Sequence, residues 1–245
     1  MIKFFRHIRK SLISENKMGK YFKYAIGEIL LVVIGILIAL QINNWNNKRV
    51  EEARADKFLQ KLKTQLKYNI IKTEERIKEF DSIYKASIEL IDIIGEKNVE
   101  NLDEKINKLV NLNLRDYHLN LDMNIITEGR ENGDIALLAS DKIRQALYFL
   151  STENTALIER ERITNEDLNL LFVPYLNKNM NLRNRIEFKN IGKSKLYKDD
   201  NYKMLFDQDF ENYIISRLEY NQSNLVVYRN MKQHLESLSQ LLETK

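Results

Sequence analysis

One apolar run limits most strongly what this chain can fold into. Every residue from Ile29 to Leu40 is apolar or glycine, and with its flanks the stretch is AIGEILLVVIGILIALQINNWNN, residues 25–47. A helix rises about 1.5 Å per residue, so about 20 residues are needed to cross about 30 Å of hydrocarbon. The segment from residue 24 to residue 44 has that length. We therefore predict a transmembrane helix over residues 21–45.

Aromatic residues at both ends of the run support this prediction, because such residues are enriched at membrane–water interfaces. They are Tyr21, Phe22 and Tyr24 before the run and Trp45 after it. Two alternatives are weaker. The buried helix of a soluble core rarely combines this length with aromatic residues at both ends. A cleaved signal peptide has an apolar region of about 7–15 residues followed by small residues. Here the apolar run is followed by QINNW, which contains no such small residues.

The charges around the run predict its orientation. Seven lysines and arginines precede it and five follow within a comparable distance. This excess favours a cytoplasmic N-terminus, which in a Gram-negative cell places the rest of the chain in the periplasm and the span in the inner membrane. In the basic leader, residues 1–20, Ile2, Phe5, Ile8 and Leu12 recur at helical spacing. That pattern is typical of a short helix on the inner leaflet, although a leader that only sets topology fits equally well.

Glu28 lies just inside the span and needs an explanation. At 100° per residue, Glu28, Gly35, Ala39 and Asn46 fall within about 20° of one line along the helix. Gly35 and Ala39 form a small-xxx-small pair, which allows close approach of a second helix backbone. A carboxylate facing lipid is costly. Either this face packs against another transmembrane helix, or Glu28 extends toward the headgroups and Lys23.

Composition excludes several classes of protein. Seven glycines and one proline are too few for a turn-rich all-β fold and favour long helices. There are no cysteines, which excludes disulfides, thiolate metal sites and cysteine nucleophiles. Residues 1–24 hold seven bases and one acid, so the rest of the chain is nearly neutral despite the net charge of +4. That distribution argues against nucleic-acid binding and fits contact between the leader and anionic lipid.

The N-terminal motif also carries a family resemblance. The stretch FFRHIRKSLISENKMGKYFKYAIGEILLVVIGILIALQINNWNN resembles the N-terminus of an uncharacterised family of small single-pass membrane proteins from Bacteroidetes-type bacteria, a domain of unknown function. The segment from Thr127 through NGDIALLASDKIRQAL is similar in pattern. Members often carry an acid directly after NNWN, where this chain has Asn47 and Lys48. The resemblance implies a single-pass anchor and a helical extramembrane domain, and it implies no activity and no catalytic residues.

After the span, apolar residues recur with a mean step of 3.6, the period of a straight α-helix. We predict one helix from about Lys48 to Ile94, continuous with the span and ended by Gly95. The predicted buried stripe is Ala55, Leu59, Leu62, Leu66, Ile70, Thr73, Ile77, Phe80, Tyr84, Ile88 and Ile91. A final long helix is predicted from about Asp209 to Leu242. Its stripe is Phe210, Ile214, Leu218, Leu225, Tyr228, Met231, Leu235, Leu238 and Leu242.

Shorter elements are predicted between these two helices. Asn101 begins a capping-box pattern for a helix to about residue 112, and residues 113–134 form a less regular connector with some short helix and with turns at Gly129 and Gly133. Ser140 caps a helix that either runs on or breaks near Thr164. Pro174 interrupts the chain, and residues 177–200 form a polar loop. The result is an all-α chain in which residues 46–245 form an antiparallel bundle with long first and last helices.

Candidate chemistry is sparse. The three histidines are His7, His118 and His234, and His118 has two carboxylates nearby in the sequence, Asp116 and Asp122. A metal or acid–base site needs several converging ligands, so we expect no metal site and no cofactor. Nucleotide-binding, zinc-protease and hydrolase motifs are missing from the sequence. We therefore expect no enzymatic activity.

Three polar motifs remain. Asp199 and Asp200 are expected to cap a helix, and the glycosylation motif at Asn221 is expected inside a helix with no role. A candidate recognition loop has four polar residues beside two glycines, although an ordinary helix-connecting turn is the simpler interpretation. Its residues are Thr127, Glu128, Arg130 and Glu131.

These features together predict a membrane-anchored helical module. Its partners are the lipid bilayer and either a protein partner or a second copy, bound through the transmembrane helix and the bundle, with no nucleic acid. The alternative is a periplasmic bundle that senses a ligand and signals through a separate protein, since about 20 cytoplasmic residues are too few for an output domain. An enzyme with an unrecognised site and a lipid or envelope-polymer binder are further alternatives.

Overall fold

The computed structural model describes residues 18–97, 102–185, 192, 194–196 and 200–243. Within these residues every regular element is helical and no strand occurs, which confirms the all-α prediction. The predicted leader helix, His7, the capping residue Asn101 and Asp199 lie outside the described residues.

Seven α-helices follow one another along the described chain. They are α1 (Met18–Ile93), α2 (Leu102–Asn113), α3 (Asn124–Glu131), α4 (Asp141–Asp167), α5 (Val173–Asn179), α6 (Leu182–Arg185) and α7 (Gln208–Glu243). Two 3-10 helices, Asp134–Leu137 and Asn201–Phe206, precede α4 and α7. A π turn, Leu168–Phe172, joins α4 to α5.

The chain divides into two compact units, Met1–Asp56 and Lys57–Lys245. In the first unit, α1 contains an 18-residue apolar window of which no part is buried. Among the described residues this helix alone is long and apolar enough to cross a membrane. The second unit, called the helical body below, contains the core. The predicted limits of the membrane span, after residue 20 and at residue 45, stay a prediction.

Within the helical body, α1 and α7 run antiparallel. Contacts join Glu74 to Lys232, Asp81 to Arg229 and Ser87 to Asn221. Residue numbers therefore increase along α1 in the direction in which they decrease along α7. Helix α4 also packs antiparallel to α7, because Glu161 contacts Tyr228 and Phe149 contacts His234. The antiparallel arrangement of the long first and last helices is therefore confirmed.

The buried stripe of α1 drifts away from the predicted one. Leu62, Leu66 and Phe80 are buried as predicted, but the stripe begins on Phe58 where we predicted Leu59, and its C-terminal half uses Ile83 and Leu90 where we predicted Tyr84 and Ile91. Ile88 is 37% exposed. The prediction followed the most apolar residue at each step, whereas the helix buries Ser87 because that hydroxyl has a hydrogen-bond partner inside the body.

Three predicted boundary signals are confirmed. Gly95 follows α1 with a positive φ of 81°, and its N–H donates to the carbonyl of Leu205 at 2.9 Å. Gly133 turns the chain with φ 78°. Ser140 caps α4, since its side chain accepts a hydrogen bond from the N–H of Ile143.

Two other predictions about the connectors are wrong, and one open alternative is decided. Gly129 does not form a turn; it is buried within α3, and a Cβ atom there would lie 2.3 Å from Cε2 of Phe58. Of the two alternatives predicted for α4, the helix runs on past Thr164 to Asp167. Pro174 does not interrupt the helical path, because it lies in the first turn of α5, after the wider π turn.

Candidate functional site

The most unusual part of the helical body is a non-helical segment, residues 115–123, that packs along three of its helices and points alternate side chains inward. Tyr117 and Leu119 of this segment are fully buried. Contacts with α1, α4 and α7 enclose it. Buried backbone groups require hydrogen-bond partners, and among the described residues the backbone of residues 116–122 makes neither helical nor sheet bonds. Side chains of the surrounding helices supply them instead.

Asparagine side chains pair with the backbone of this segment as another strand would. Asn165 of α4 donates through Nδ2 to the carbonyl of Tyr117 at 3.0 Å, and its Oδ1 accepts from the N–H of Tyr117 at 2.9 Å. Asn69 of α1 binds both backbone groups of Asp122 in the same way, at 2.7 and 2.8 Å. Each amide thereby satisfies one backbone donor and one acceptor.

A buried chain of side-chain hydrogen bonds crosses the body beside this segment. The hydroxyl of Tyr117 donates to Oδ1 of Asn221, and Nδ2 of Asn221 donates to Ser87 Oγ at 3.2 Å. Ser87 in turn donates to Oδ1 of Asn113 at 2.6 Å. All four side chains are fully buried. The chain links α7, α1 and α2 to residues 115–123, and each donor finds an acceptor.

Arg217 of α7 is the largest fully buried side chain among the described residues. Its guanidinium lies over the ring of Tyr117, with Cζ 4.8 Å from the ring centroid, and Nη2 donates to the carbonyl of Arg115 at 3.1 Å. Nε and Nη1 have no hydrogen-bond partner among the described residues. Burial lowers the pKa of Arg217, and the nearby phenol of Tyr117 and carboxylate of Asp167 oppose that effect.

Glu161 of α4 brings a carboxyl group into the same interior, where it is only 3% exposed. Its Oε1 accepts from the hydroxyl of Tyr228 at 2.6 Å and from the N–H of Leu119 at 2.8 Å. Burial raises the pKa of Glu161, and the two hydrogen bonds offset part of that increase. His118 and Arg76 are the nearby cationic groups that also oppose it.

The raised pKa of Glu161 predicts a pH dependence of stability. Since the folded carboxyl holds its proton at pH values where the unfolded one releases it, the free energy of unfolding falls as pH rises above about 4.5, the ordinary glutamate value. The fall is complete once pH exceeds the raised folded pKa. We expect Glu161→Gln to remove this part of the pH dependence in urea titrations. An unchanged pH profile in the variant would contradict the assignment.

The polar side chains of this interior hold neighbouring parts of the chain together by hydrogen bonds. Asn69, Asn165, Asn221 and Ser87 are engaged with backbone or with one another. The described residues contain no group of three or more histidine, cysteine or acidic side chains placed to hold a metal ion. What the arrangement can do is fix residues 115–123 among three helices.

The predicted recognition residues do not form a loop. Thr127, Glu128, Arg130 and Glu131 all lie on α3, which forms because Ile126 and Gly129 of the same segment are buried. Glu128 pairs with Lys61 of α1 at 3.4 Å. The loop conformation was therefore a wrong prediction, while a role in recognition stays a prediction.

The predicted transmembrane face lies on α1 in the first unit. Gly35 has open space around it, since an added Cβ would meet no atom of this chain within 4 Å. Glu28, Ala39 and Asn46 belong to the same helix, and Asn46 accepts a hydrogen bond from Arg49 at 3.4 Å.

The predicted interfacial aromatic residues are placed on the same helix. Trp45 is 63% exposed and has the Arg49 guanidinium 5.5 Å from its ring centroid. Tyr24 is 55% exposed. The side chain of Tyr21 lies outside the described ones.

The remaining motifs have ordinary roles. His118 is exposed and lies 3.4 Å from Nδ2 of Asn165, and His234 packs its ring edge-on against Phe149 at 5.0 Å. Asn221 is fully buried, so the folded body hides the glycosylation motif. Asp200 makes no capping bond to the 3-10 helix that follows; it pairs with Lys203 at 2.6 Å.

Sequence reasoning missed the buried polar residues of α7. Arg217, Asn221 and Asn224 are fully buried and lie in the same register as Ile214 and Tyr228. Leu218, the predicted stripe residue, is only partly buried. The sequence does indicate this burial, because Arg217, Asn221 and Asn224 interrupt the apolar stripe of α7 at steps of four and three. Such an interruption indicates an internal hydrogen-bond network.

Comparison with known proteins gives one family assignment. A model of a family of unknown function (DUF6090) matches residues 28–215, which include the apolar run, residues 115–123 and the first part of α7. No curated protein and no solved structure matches the chain. The match covers more than half of the chain, so this protein belongs to the DUF6090 family of unknown function.

Proposed function

We propose that this protein is a membrane-anchored helical module that acts through protein–protein contacts and catalyses no reaction. The observation that carries the proposal is the apolar part of α1, whose 18-residue window has no buried portion. Exposed apolar surface of this extent is stable in lipid and not in water. The module is a single-pass protein of the inner membrane, with a cytoplasmic N-terminus and the helical body in the periplasm.

The buried polar groups of the body support the absence of catalysis. A catalytic group must reach a substrate. Tyr117, Asn165, Asn221 and Glu161 are buried and bonded to each other or to backbone. They stabilise the fold and present a fixed surface, which suits a module that holds partners.

Self-association of α1 through the face of Glu28, Gly35, Ala39 and Asn46 is the assembly we propose. Glycine inside a helix costs about 1 kcal/mol relative to alanine. Nothing within this chain requires Gly35, because an added Cβ meets no atom within 4 Å. Close approach of a second α1 explains the residue, since small side chains let two backbones meet.

Gly35→Ile is expected to weaken self-association about tenfold, the equivalent of about 1.4 kcal/mol. The measurement is energy transfer between labelled copies in lipid vesicles at fixed protein density. Gly27→Ile is the matched control, because Gly27 also has open space and lies about 100° around the helix from the proposed face. Equal energy transfer for Gly35→Ile and the natural chain would contradict the proposal.

A further inference from the structure

A basic surface lies on α1 within the helical body. The 16 residues from Lys57 to Lys72 include five lysines and no acid. Lys57, Lys63 and Lys67 are exposed and form no ion pair with any described residue. Lys61 is half exposed and shares its charge with Glu128 at 3.4 Å.

In the next part of the same helix, several charged side chains form ion pairs within the body. Lys78 pairs with Glu74 at 3.0 Å, Asp81 with Arg229 at 2.8 Å and Glu89 with Lys105 at 2.9 Å. Lys57, Lys63 and Lys67 are thus three lysines, unpaired with any described residue, within 11 residues of one helix.

Two large apolar side chains are exposed among these lysines. Tyr68 is 53% exposed and Ile71 is 51% exposed. Counted along α1, Lys57, Lys61, Thr64, Tyr68 and Ile71 are separated by steps of four, three, four and three. That is the spacing of one face of a helix that packs along another helix.

This face points away from the core of the body. Leu62, Leu66, Asn69 and Thr73 of the same helix are buried and lie on the opposite side. Lys72 helps to hold Tyr68 in place, with Nζ 5.6 Å from its ring centroid, while the same ammonium donates to the carbonyl of Asn120 at 2.6 Å. The exposed surface of residues 57–71 is called the lysine face below.

We infer that the lysine face binds an acidic amphipathic helix of a partner protein. Lys57 and Lys61 lie on the seam, and Lys63 and Lys67 lie along one side of it, where they can make ion pairs with glutamates that flank the seam of a packed helix. Tyr68 and Ile71 on the seam fit apolar side chains of the partner. An anionic lipid surface or a simple polyanion would use the lysines without needing these two residues at helical spacing. The inference rests on the proposed function and names the class of partner.

The test uses the full-length protein in nanodiscs of zwitterionic lipid, one copy per disc. The probe is a fluorescent three-heptad helical peptide with leucines on its seam and glutamates beside them. Binding is measured by anisotropy. We expect the triple variant K57E/K63E/K67E to bind at least about tenfold more weakly. A peptide with lysine in place of glutamate should restore binding to that variant.

A second triple variant controls for the overall change of charge. K85E/K108E/K142E reverses three lysines that are also exposed but lie elsewhere on the body. It should bind the acidic peptide within about twofold of the natural chain. Equal weakening by both triple variants would overturn the inference, because attraction would then depend on net charge alone.

The apolar seam separates a helical partner from a generic polyanion. Tyr68→Ser with Ile71→Ser should also weaken peptide binding about tenfold at raised salt, where ion pairs are screened. Three results would overturn the inference: no peptide binding, binding unaffected by the serine variant, or equally tight binding of polyglutamate or anionic vesicles. One copy per disc keeps the outcome independent of self-association through Gly35.

Discussion

Tyr117→Ala is expected to lower the free energy of unfolding of the helical body by about 4 kcal/mol, the usual range for a buried aromatic residue. Tyr117 is fully buried and stacks on Phe80 with ring centroids 4.6 Å apart. The truncation also removes the ring beneath Arg217 and leaves Oδ1 of Asn221 without its donor. The measurement is urea unfolding of the detergent-solubilised full-length protein, followed by circular dichroism.

Two further variants assign the loss to its causes. Tyr117→Phe keeps the packing and removes the hydroxyl, so we expect it to cost about 1 kcal/mol. Tyr148→Ala is the matched control, because Tyr148 lies on α4 and is 49% exposed. That control should change stability by about 0.5 kcal/mol or less. A loss below about 1 kcal/mol for Tyr117→Ala would contradict the central position we assign to this residue.

Asn165→Asp should be almost as severe, with a loss of about 3 kcal/mol at neutral pH. The substitution keeps the size of the side chain. It replaces the group that donates to the carbonyl of Tyr117 by a carboxylate oxygen, so two acceptors face each other in a buried site. The measurement is the same urea titration.

The loss of stability caused by Asn165→Asp should also depend on pH. Burial beside a carbonyl raises the folded pKa of the new aspartate above its unfolded value of about 3.9. The protonated acid can donate to the carbonyl of Tyr117, so the deficit should be smallest at low pH and grow as pH rises through the folded pKa. Asn230→Asp on the exposed side of α7 is the control and should show no such deficit. A deficit that does not change with pH would count against the backbone pairing of Asn165.

The long helices were predictable because their signals are local. The 3.6-residue period, the scarcity of glycine and proline, and the end signals at Gly95 and Ser140 all act within a few residues of the chain. The apolar periodicity does not identify the buried residues where burial depends on a contact with a residue far away in the sequence. Ser87 is buried on α1 because Asn113 and Asn221 meet it there. Gly129 belongs to a helix because Phe58 packs against it.

The apolar run and the family membership needed only the sequence, since both are properties of consecutive residues. The roles of the buried polar residues were decided by the tertiary structure alone. Asn165 and Tyr117 are 48 positions apart, and Ser87 and Asn221 are 134 apart. An asparagine has the same donors and acceptors on a surface as in a core. Only packing removes the water that would otherwise satisfy them, and only packing selects the groups they bond instead.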